Sequence, residues 1–272
     1  MKELVQSISS RLSAIYDADE SRALSWWILE ELTNLTRTQL QFDCKNTKNI
    51  PNDQTIDKII ERLLHFEPIQ YIFGHTHWYG LDLKVTPATL IPRPETAELV
   101  NKVESLKLKV ERPKILDIGT GSGCIAIALK KAHPEWQVTG IDISKEAIGV
   151  AKENARRNGV EVEFKVADIF DFNGTFDVVV SNPPYICEKE KKGMRRNVLD
   201  YEPQQALFVP DNDPLLFYRR IASMRIGQQL FFEINEAYPQ ELTKLLEELG
   251  YTDIQVTNDI YGKPRIIEGR MA

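Results

Sequence analysis

Apolar residues in the first 74 positions recur at intervals of three and four, the spacing of one face of an α-helix. There are three such series: Leu4, Val5, Ile8, Leu12 and Ile15; then Ala23, Trp26, Trp27, Leu29 and Leu32; then Ile56, Ile59, Ile60, Leu63 and Leu64. Asp19 is a candidate N-cap for the second helix, and Pro68 limits the third. The pattern predicts a small helical bundle over residues 1–74. The pair Trp26 and Trp27 is expected either to pack in its core or to form a patch for a partner.

The spacing changes after Gly74. The next apolar residues stand close together around Gly80, which predicts a hairpin or an extended connector; they are Trp78, Tyr79, Leu81, Leu83 and Val85. His75 and His77 occupy alternate positions there, a spacing that two metal ligands can have. No third ligand follows at a suitable distance, so we predict no metal site.

A stretch stiffened by two prolines, Leu90–Thr96, ends this connecting region. Glu95 is positioned to begin a helix that would run to about Lys109. The stretch is either a linker that leads to this helix or a rigid arm that leans over a bound cofactor. Residues 75–96 are thus assigned to a hairpin and linker, and residues 97–272 to a second domain.

From Lys114 onward, short apolar runs alternate with helical patterns. Strands are predicted at 114–118, 136–141, 162–166, 176–180, 228–234 and 251–257, with a further edge strand at 265–268. Helices are predicted near 123–132, 144–157, 213–225 and 238–249. This alternation is typical of an α/β fold in which a Rossmann-like parallel sheet carries helices on both faces. The charge run at 188–196 is predicted to be a solvated, mobile loop that orders when a partner docks.

Composition and net charge limit the kinds of partner that this protein is expected to bind. The 272 residues are 42% apolar and 27% charged, and the net charge of −6 gives no overall positive field for nucleic acid or acidic lipid. Cys44, Cys124 and Cys187 are odd in number and far apart, which favours reduced thiols. Neither a signal peptide nor an apolar stretch near the ~20 residues of a membrane span is visible. We therefore expect a cytoplasmic protein.

A glycine-rich loop, Gly119-Thr120-Gly121-Ser122-Gly123, joins the first predicted strand of the second domain to a helix. Glycines permit positive φ and let a ligand approach the backbone closely. The dinucleotide-binding fingerprint requires its third glycine at the position that Cys124 occupies here. The spacing therefore favours a ligand without a pyrophosphate.

Two aspartates follow the next two strands. Asp142 could accept hydrogen bonds from both hydroxyls of a ribose, and Asp168 could accept one from the amino group of an adenine. Taken singly, either aspartate could instead cap a helix. Together with the glycine loop they suit a nucleoside that carries a positive sulfonium, which is the kind of site that Rossmann-like methyltransferases use for S-adenosylmethionine.

The tetrapeptide Asn182-Pro183-Pro184-Tyr185 directly follows the predicted strand 176–180. Neither proline has an N–H to donate and both hold φ at about −65°, so the segment is rigid and rich in acceptors. The side-chain oxygen of Asn182 and the carbonyl of Pro183 could bind both N–H groups of an amide, which would aim the nitrogen lone pair at a methyl group. Tyr185 could pack on the planar amide and favour positive charge on its nitrogen. The alternative is a proline turn that only ends a strand.

At these residues the chain resembles the HemK/PrmC family, the release factor glutamine methyltransferases. The resemblance covers nearly the whole chain and is carried by Glu67–Gly74, Leu90–Thr96, Leu116–Gly123, Ser181–Ile186, Asp200–Pro203, Phe217–Arg220, Asp259, Gly262 and Arg265. It implies a class I methyltransferase domain that follows a small helical domain for substrate recognition. It also implies methylation of N5 of the glutamine in the Gly-Gly-Gln motif of peptide chain release factors, with S-adenosylmethionine as cofactor.

The resemblance also implies roles for individual residues. The substrate-binding residues are Asn182, Pro183, Pro184 and Tyr185, of which Asn182, Pro183 and Tyr185 are catalytic. The cofactor-binding residues are Gly119, Thr120, Gly121, Ser122, Gly123, Asp142, Asp168, Ile169 and Asn182. The family often has an aromatic residue where this chain has Ile169, and Phe170 comes next, so the residue that stacks on adenine is left open.

Three alternatives compete with this interpretation. A related Pro-Pro-aromatic motif serves exocyclic amines of nucleic-acid bases, but base flipping needs a basic, stacking groove that the acidic balance does not favour. A sister enzyme modifies a glutamine of a ribosomal protein, although Arg93–Thr96 is more similar to the release-factor group. The third alternative binds S-adenosylmethionine without catalysis. We expect a monomer whose partner is a release factor, with no direct contact to nucleic acid or membrane.

Overall fold

The computed structural model describes residues 1–42 and 52–272, which belong to two compact units. The first unit contains residues 1–74 together with 195–201, and the second contains the rest. The chain therefore passes between the units three times. The sequence pattern placed a boundary at residue 74 but gave no sign that a later segment returns to the first unit.

The first unit is a helical bundle. Its described helices are α1 (Lys2–Leu12), α2 (Ala18–Thr33), α3 (Arg37–Phe42), α4 (Asp53–Leu64) and α5 (Ile69–Phe73). Their apolar faces meet in one core, in which Trp26 is buried and Trp27 is half-buried. The tryptophan pair thus packs within the bundle. Helices α3 and α5 are absent from the prediction because one or two turns carry too few apolar positions to show a period.

The N-cap of α2 is Asp17, so the prediction of Asp19 is wrong. Asp17 has an extended backbone, and its side chain accepts a hydrogen bond from the N–H of Glu20 at 2.8 Å. Asp19 lies inside the first turn, where a negative charge still favours the helix dipole. A cap requires a non-helical backbone at its own position, which sequence spacing alone does not reveal.

The second unit begins with the predicted hairpin, in which β1 (His75–Trp78) pairs antiparallel with β2 (Leu81–Lys84). Tyr79 and Gly80 form the turn, and both have positive φ, as the tight hairpin turn of type I′ requires. Helix α6 (Thr96–Glu104) follows. It ends short of the predicted Lys109, because the next two leucines alternate along an extended segment and both pack against the core.

The remaining elements are a seven-stranded sheet with helices against it, a separate pair of two-residue strands and one short helix of the first unit. In chain order they are β3 (Lys114–Ile118), α7 (Cys124–Ala132), β4 (Gln137–Asp142), α8 (Lys145–Arg157), β5 (Glu163–Val166), β6 (Phe176–Ser181), β7 (Ile186–Cys187), α9 (Arg196–Leu199), β8 (Phe208–Val209), α10 (Leu216–Met224), β9 (Gly227–Glu233), α11 (Pro239–Glu248), β10 (Tyr251–Asn258) and β11 (Pro264–Met271). The strand order is β10-β11-β9-β6-β3-β4-β5. The predicted α/β fold is confirmed.

Five strands of the sheet pair in parallel, and β11 runs antiparallel between β9 and β10. The predicted edge strand at 265–268 therefore lies inside the sheet, and β10 forms the edge. A short connection joins β10 to β11, whereas a parallel pair needs a long crossover. Strands β7 and β8 pair separately and have two residues each, too few to give a sequence signal.

Apolar residues of the central strands alternate between two cores, one on each face of the sheet. Val178 and Val180 of β6 belong to one core with α7 and α8, and Val179 belongs to the other with α10 and α11. Successive side chains of a strand point to opposite faces, so a strand covered on both faces reads as one apolar run. In the part of the chain that the structure describes, no helix has the length and apolar character to cross a membrane.

The predicted loop at 188–196 has more structure than expected. Residues 188–193 form a 3₁₀-helix with exposed or half-exposed side chains. Glu190 accepts the N–H of Cys187 at 2.8 Å, and Asp211 accepts the N–H of Lys189 at 2.9 Å. These two hydrogen bonds hold the backbone of the charged segment against neighbouring residues. A run of charges in the sequence does not indicate such contacts.

Residues 195–201, here called the inserted segment, fold with the first unit. The hydroxyl of Tyr201 donates to the carbonyl of His65 at 2.9 Å. The guanidinium of Arg196 lies 4.4 Å from the centre of the Phe66 ring, within cation–π range. A tyrosine hydrogen bond and an arginine–aromatic contact thus attach the segment to the end of α4.

Candidate active site

The strand order reverses at β3: β4 and β5 extend the sheet on one side of β3, and β6 pairs with β3 on the other side. In open α/β sheets, the carboxyl ends of the strands at such a switch point form the ligand crevice. The glycine loop follows β3 and the tetrapeptide 182–185 follows β6. The topology therefore brings the two predicted sites to one crevice.

The glycine loop has three residues with positive φ: Gly119 at 70°, Gly121 at 53° and Gly123 at 82°. A Cβ at Gly119 would meet no atom within 4 Å, whereas a Cβ at Gly123 would lie 3.0 Å from Ile127 and 3.1 Å from Ala151. The first two glycines leave the backbone open to a ligand. Gly123, in contrast, lets α7 pack closely and does not line the cavity, and its contact with the cofactor stays a prediction.

Asp142 ends β4 and faces the glycine loop. Its two carboxylate oxygens accept the N–H groups of Gly121 and Ser144, each at 2.9 Å. Burial raises the pKa of this carboxyl, and the backbone hydrogen bonds oppose that shift. A carboxylate has about four lone-pair sites, so acceptor capacity remains for ribose hydroxyls. Asp142 therefore has a further task that the sequence does not indicate, which is to hold the loop.

Asp117 in β3 is a buried acid that the sequence analysis missed. Its Oδ2 accepts hydrogen bonds from the hydroxyl of Thr120 at 2.6 Å and the N–H of Ala126 at 3.3 Å, while its Oδ1 is buried without a partner. Desolvation raises the pKa of Asp117 to about 7. The Ser122 hydroxyl is also buried and belongs to a residue that lines the cavity. A desolvated acid with an unpartnered oxygen at the loop fits a positively charged ligand with hydrogen-bonding groups.

Asp117→Asn is expected to flatten the pH dependence of stability. Because the folded state keeps the Asp117 proton to about pH 7 and the unfolded state releases it near its ordinary value, this residue lowers the free energy of unfolding as the pH rises from about 4 to 7. Thermal unfolding measured from pH 5 to pH 8 should show a smaller fall in Tm for the variant. Equal slopes in the variant and the wild type would contradict the assignment.

The segment after β5, which the sequence predicts to contact adenine, lines the crevice. Asp168 accepts the N–H of Phe170 at 2.9 Å, which makes a tight turn. The guanidinium of Arg220 donates to the carbonyls of Ile169 and Phe170 and so fixes that turn. Ile169 is buried and Phe170 is 47% exposed, and both line the cavity with Phe217. Both candidates that the sequence left open for adenine contact are thus at the site.

The stretch Leu90–Thr96 lines the same cavity, which favours the arm over the plain linker. Its carbonyl at Arg93 accepts the indole N–H of Trp78 at 2.8 Å. The buried Glu202 accepts the N–H of Ile91 at 3.1 Å and forms an ion pair with Arg93. Backbone hydrogen bonds and an ion pair therefore hold this stretch in place.

Asn182, Pro183 and Pro184 line the cavity, as predicted for substrate-binding residues at its rim. The Nδ2 of Asn182 lies 3.3 Å from the hydroxyl of Thr96. Tyr185 is not among the lining residues, and its contact with the substrate stays a prediction. Its hydroxyl donates to the buried Glu233 at 3.1 Å, and this bond holds the ring against the core.

The cavity has a volume of about 330 Å³, within the range of small-molecule sites. Of the predicted residues it is lined by Gly119, Thr120, Gly121, Ser122, Asp142, Asp168, Ile169, Asn182, Pro183 and Pro184. Lining residues that were not assigned beforehand include Thr96, Ile143, Pro203, Gln205 and Ile221. Within residues 1–42 and 52–272, no cluster of three His, Cys, Asp or Glu side chains could hold a metal ion.

Solved structures share this fold. The catalytic domain of hMettl16 in complex with MAT2A 3′UTR hairpin 6 aligns with a TM-score of 0.58 and 17% identity over 71% of this chain and 77% of that one. A methyltransferase from Pyrococcus furiosus aligns with a TM-score of 0.51 and 19% identity over 77% of this chain and 96% of that one. Residues 96–201 match the family described as the methyltransferase small domain. The fold and the site thus define a Rossmann-like methyltransferase, whose cofactor is S-adenosylmethionine.

The chain belongs to the release factor glutamine methyltransferase family. Residues 3–74 match the PrmC N-terminal domain. The release factor glutamine methyltransferase of Bacteroides thetaiotaomicron is 42% identical over 98% of this chain and 99% of its own length. That of Flavobacterium psychrophilum is 43% identical over 94% of both. The family that the sequence motifs indicated is confirmed.

Proposed function

We propose that this protein methylates the side-chain amide nitrogen, N5, of the glutamine in the Gly-Gly-Gln motif of peptide chain release factors. The observation that carries the proposal is that Asn182 and Pro183 line the same cavity as the glycine loop. The names of the curated relatives support the choice of a release factor as substrate. A cytoplasmic location and a monomeric enzyme belong to the same proposal.

The cofactor residues of this chain fit S-adenosylmethionine. When bound, it supplies an electrophilic methyl group on a positively charged sulfur. Asp142 offers acceptors for the ribose, and the turn at Asp168 offers an acceptor and apolar contacts for the adenine. Asp117 is buried beside the glycine loop with its pKa raised to about 7, and a positively charged ligand nearby would favour its ionised form.

The rim residues address the weakness of an amide as a nucleophile. The amide nitrogen lone pair is delocalised into the carbonyl, so the nitrogen attacks slowly unless it is held and oriented. The side-chain oxygen of Asn182 and the backbone carbonyl of Pro183 each accept a hydrogen bond from one N–H of the amide. Together they direct the nitrogen to the methyl group. Methyl transfer would form the nitrogen–carbon bond, break the carbon–sulfur bond and leave a neutral thioether, and the proton lost from the nitrogen would pass to water. The nitrogen becomes acidic only at that stage, so the rim needs no strong base.

Incubation with methyl-labelled cofactor tests the proposal. Label should enter an intact release factor and should be absent from a release factor whose Gly-Gly-Gln glutamine is replaced by alanine. Total RNA, DNA and ribosomal proteins should stay unlabelled under the same conditions. Label found only in nucleic acid or only in a ribosomal protein would overturn the assigned substrate.

Asp142→Ala is expected to weaken cofactor binding roughly 10- to 100-fold, since hydrogen bonds to a charged acceptor contribute about 1.5–3 kcal/mol each. Calorimetric titration with S-adenosylhomocysteine measures the change. An analogue without the ribose 2′-hydroxyl separates the two tasks of Asp142. The wild type should bind this analogue more weakly than S-adenosylhomocysteine. Asp142→Ala should bind the two compounds with equal affinity. If the variant still discriminates fully, Asp142 only holds the glycine loop.

A further inference from the structure

Glu233 is the last residue of β9, and it contacts the tetrapeptide at Tyr185. Its side chain is 1% exposed and accepts two hydrogen bonds, from the hydroxyl of Thr96 at 2.7 Å and from the hydroxyl of Tyr185 at 3.1 Å. Thr96 is 2% exposed and, in addition, lies 3.3 Å from the Nδ2 of Asn182. These contacts form one continuous chain from a buried carboxylate to the rim.

The chain of contacts has a direction. Burial raises the pKa of Glu233, and the hydrogen bonds from Thr96 and Tyr185 oppose that shift. The ionised carboxylate has only lone pairs to offer, so the Thr96 hydroxyl donates its single proton to Glu233. Thr96 then has only lone pairs left for Asn182, and the amide must turn its NH₂ group toward Thr96. In this orientation Oδ1 of Asn182 is turned away from Thr96, on a side chain that lines the cavity.

We propose that Glu233 is a positioning residue, which acts through Thr96 to hold the Asn182 amide with its oxygen toward the N–H of the substrate glutamine. The inference rests on the proposed function, because it concerns the same amide acceptor. Without the carboxylate, a threonine hydroxyl can donate as well as accept, and the amide can turn over. An NH₂ group in place of Oδ1 would meet the substrate NH₂ as one donor against another.

The second contact of Glu233 serves the same part of the rim. Burial raises the pKa of the Tyr185 hydroxyl far above its ordinary range, so Tyr185 stays protonated and donates to Glu233. The side chain of Asn235 donates to the carbonyl of Tyr185 at 3.1 Å. One carboxylate at the end of β9 therefore restrains both ends of the tetrapeptide, Asn182 through Thr96 and Tyr185 directly.

Thr96→Val removes the hydroxyl with little change of shape and is the central test. We expect kcat to fall roughly 5- to 30-fold, the loss of one orienting hydrogen bond, with the Kd of S-adenosylmethionine and the KM of the release factor within about twofold of wild type. Thr96→Ser restores the hydroxyl and should recover most of kcat. Thr139→Val is the matched control, because Thr139 also bonds a glutamate, Glu163, but lies away from the cavity. Its kcat should match that of the wild type.

Glu233→Gln tests whether the acid acts through Thr96. A glutamine can donate to the Thr96 oxygen and so reverse the chain, and we expect a similar fall in kcat. If the two residues act in series, the double variant with Thr96→Val should lie within about threefold of Thr96→Val alone. Independent, multiplied losses would overturn the inference, as would wild-type kcat in Thr96→Val or no recovery in Thr96→Ser.

The variants also separate this inference from the proposed function. If Asn182→Ala retains full turnover, the amide clamp itself is wrong. If Asn182→Ala is impaired and Thr96→Val is not, the clamp stands and the positioning role of Glu233 is refuted. A loss of cofactor affinity that parallels the loss of kcat in Thr96→Val would mark a general structural role and would also refute it.

Discussion

Asn182→Ala is expected to lower kcat for release factor methylation roughly 10²- to 10³-fold, while the Kd of S-adenosylmethionine stays within about twofold of wild type. In the proposed mechanism, the side-chain oxygen of Asn182 is one of two acceptors that orient the amide nitrogen, and that orientation matters most when the new bond forms. The glycine loop and Asp142, which are proposed to hold the cofactor, are bonded to each other and not to the Asn182 side chain. The loss should therefore appear in the chemical step.

Single-turnover kinetics with pre-bound cofactor measure that step directly, and calorimetry measures cofactor binding. Asn158→Ala is the control, since this asparagine ends α8 and its side chain donates to the carbonyls of Asp82 and Asn154, away from the cavity. Its rate should equal that of the wild type. Unchanged turnover in Asn182→Ala would remove the basis for the rim mechanism.

Removal of residues 1–74 is expected to abolish methylation of an intact release factor, by at least about 100-fold in kcat/KM, and to spare cofactor binding. A glutamine in a short loop offers little surface, so specificity requires further contacts with the folded partner. We propose that the helical unit supplies them. The cavity residues all belong to the second unit, so the cofactor should still bind.

The deletion also strips the inserted segment of its packing partners, and this effect needs its own control. Full-length Tyr201→Phe and Arg196→Ala each remove one contact between the segment and the end of α4. Both should methylate release factor within about threefold of wild type. Full activity of the truncated protein on an intact release factor would refute the recognition role. If the two point variants are as inactive as the deletion, the inserted segment rather than the bundle is responsible.

The sequence predicts those parts of the fold that depend on short, contiguous patterns of residues. The run from Val178 to Val180 indicates a strand covered on both faces, and the glycines of the loop indicate a backbone with positive φ. The tetrapeptide 182–185 marks the rim because its prolines and its asparagine stand next to one another. Each of these signals is complete within about ten residues, so each is visible without a structure.

The parts that the sequence does not predict depend on contacts between distant positions. Thr96 and Glu233 are 137 positions apart, and neither residue type is unusual where it stands. Asp117 reads as one more residue of a strand until its missing hydrogen-bond partner is seen. The hydrogen bond from Tyr185 to Glu233 joins residues 48 positions apart, and the position of Tyr185 beside Pro184 does not indicate it. Tertiary partners decide these roles, and a local pattern contains no record of them.

The inserted segment has a consequence for engineering this enzyme. Specificity modules that occupy one end of a chain can be exchanged between relatives by a single splice. Here such a splice at residue 74 would pair a foreign bundle with the native Arg196 and Tyr201, whose partners Phe66 and His65 lie on the exchanged side. A working chimera must therefore carry two discontinuous pieces from the same donor, residues 1–74 and 195–201.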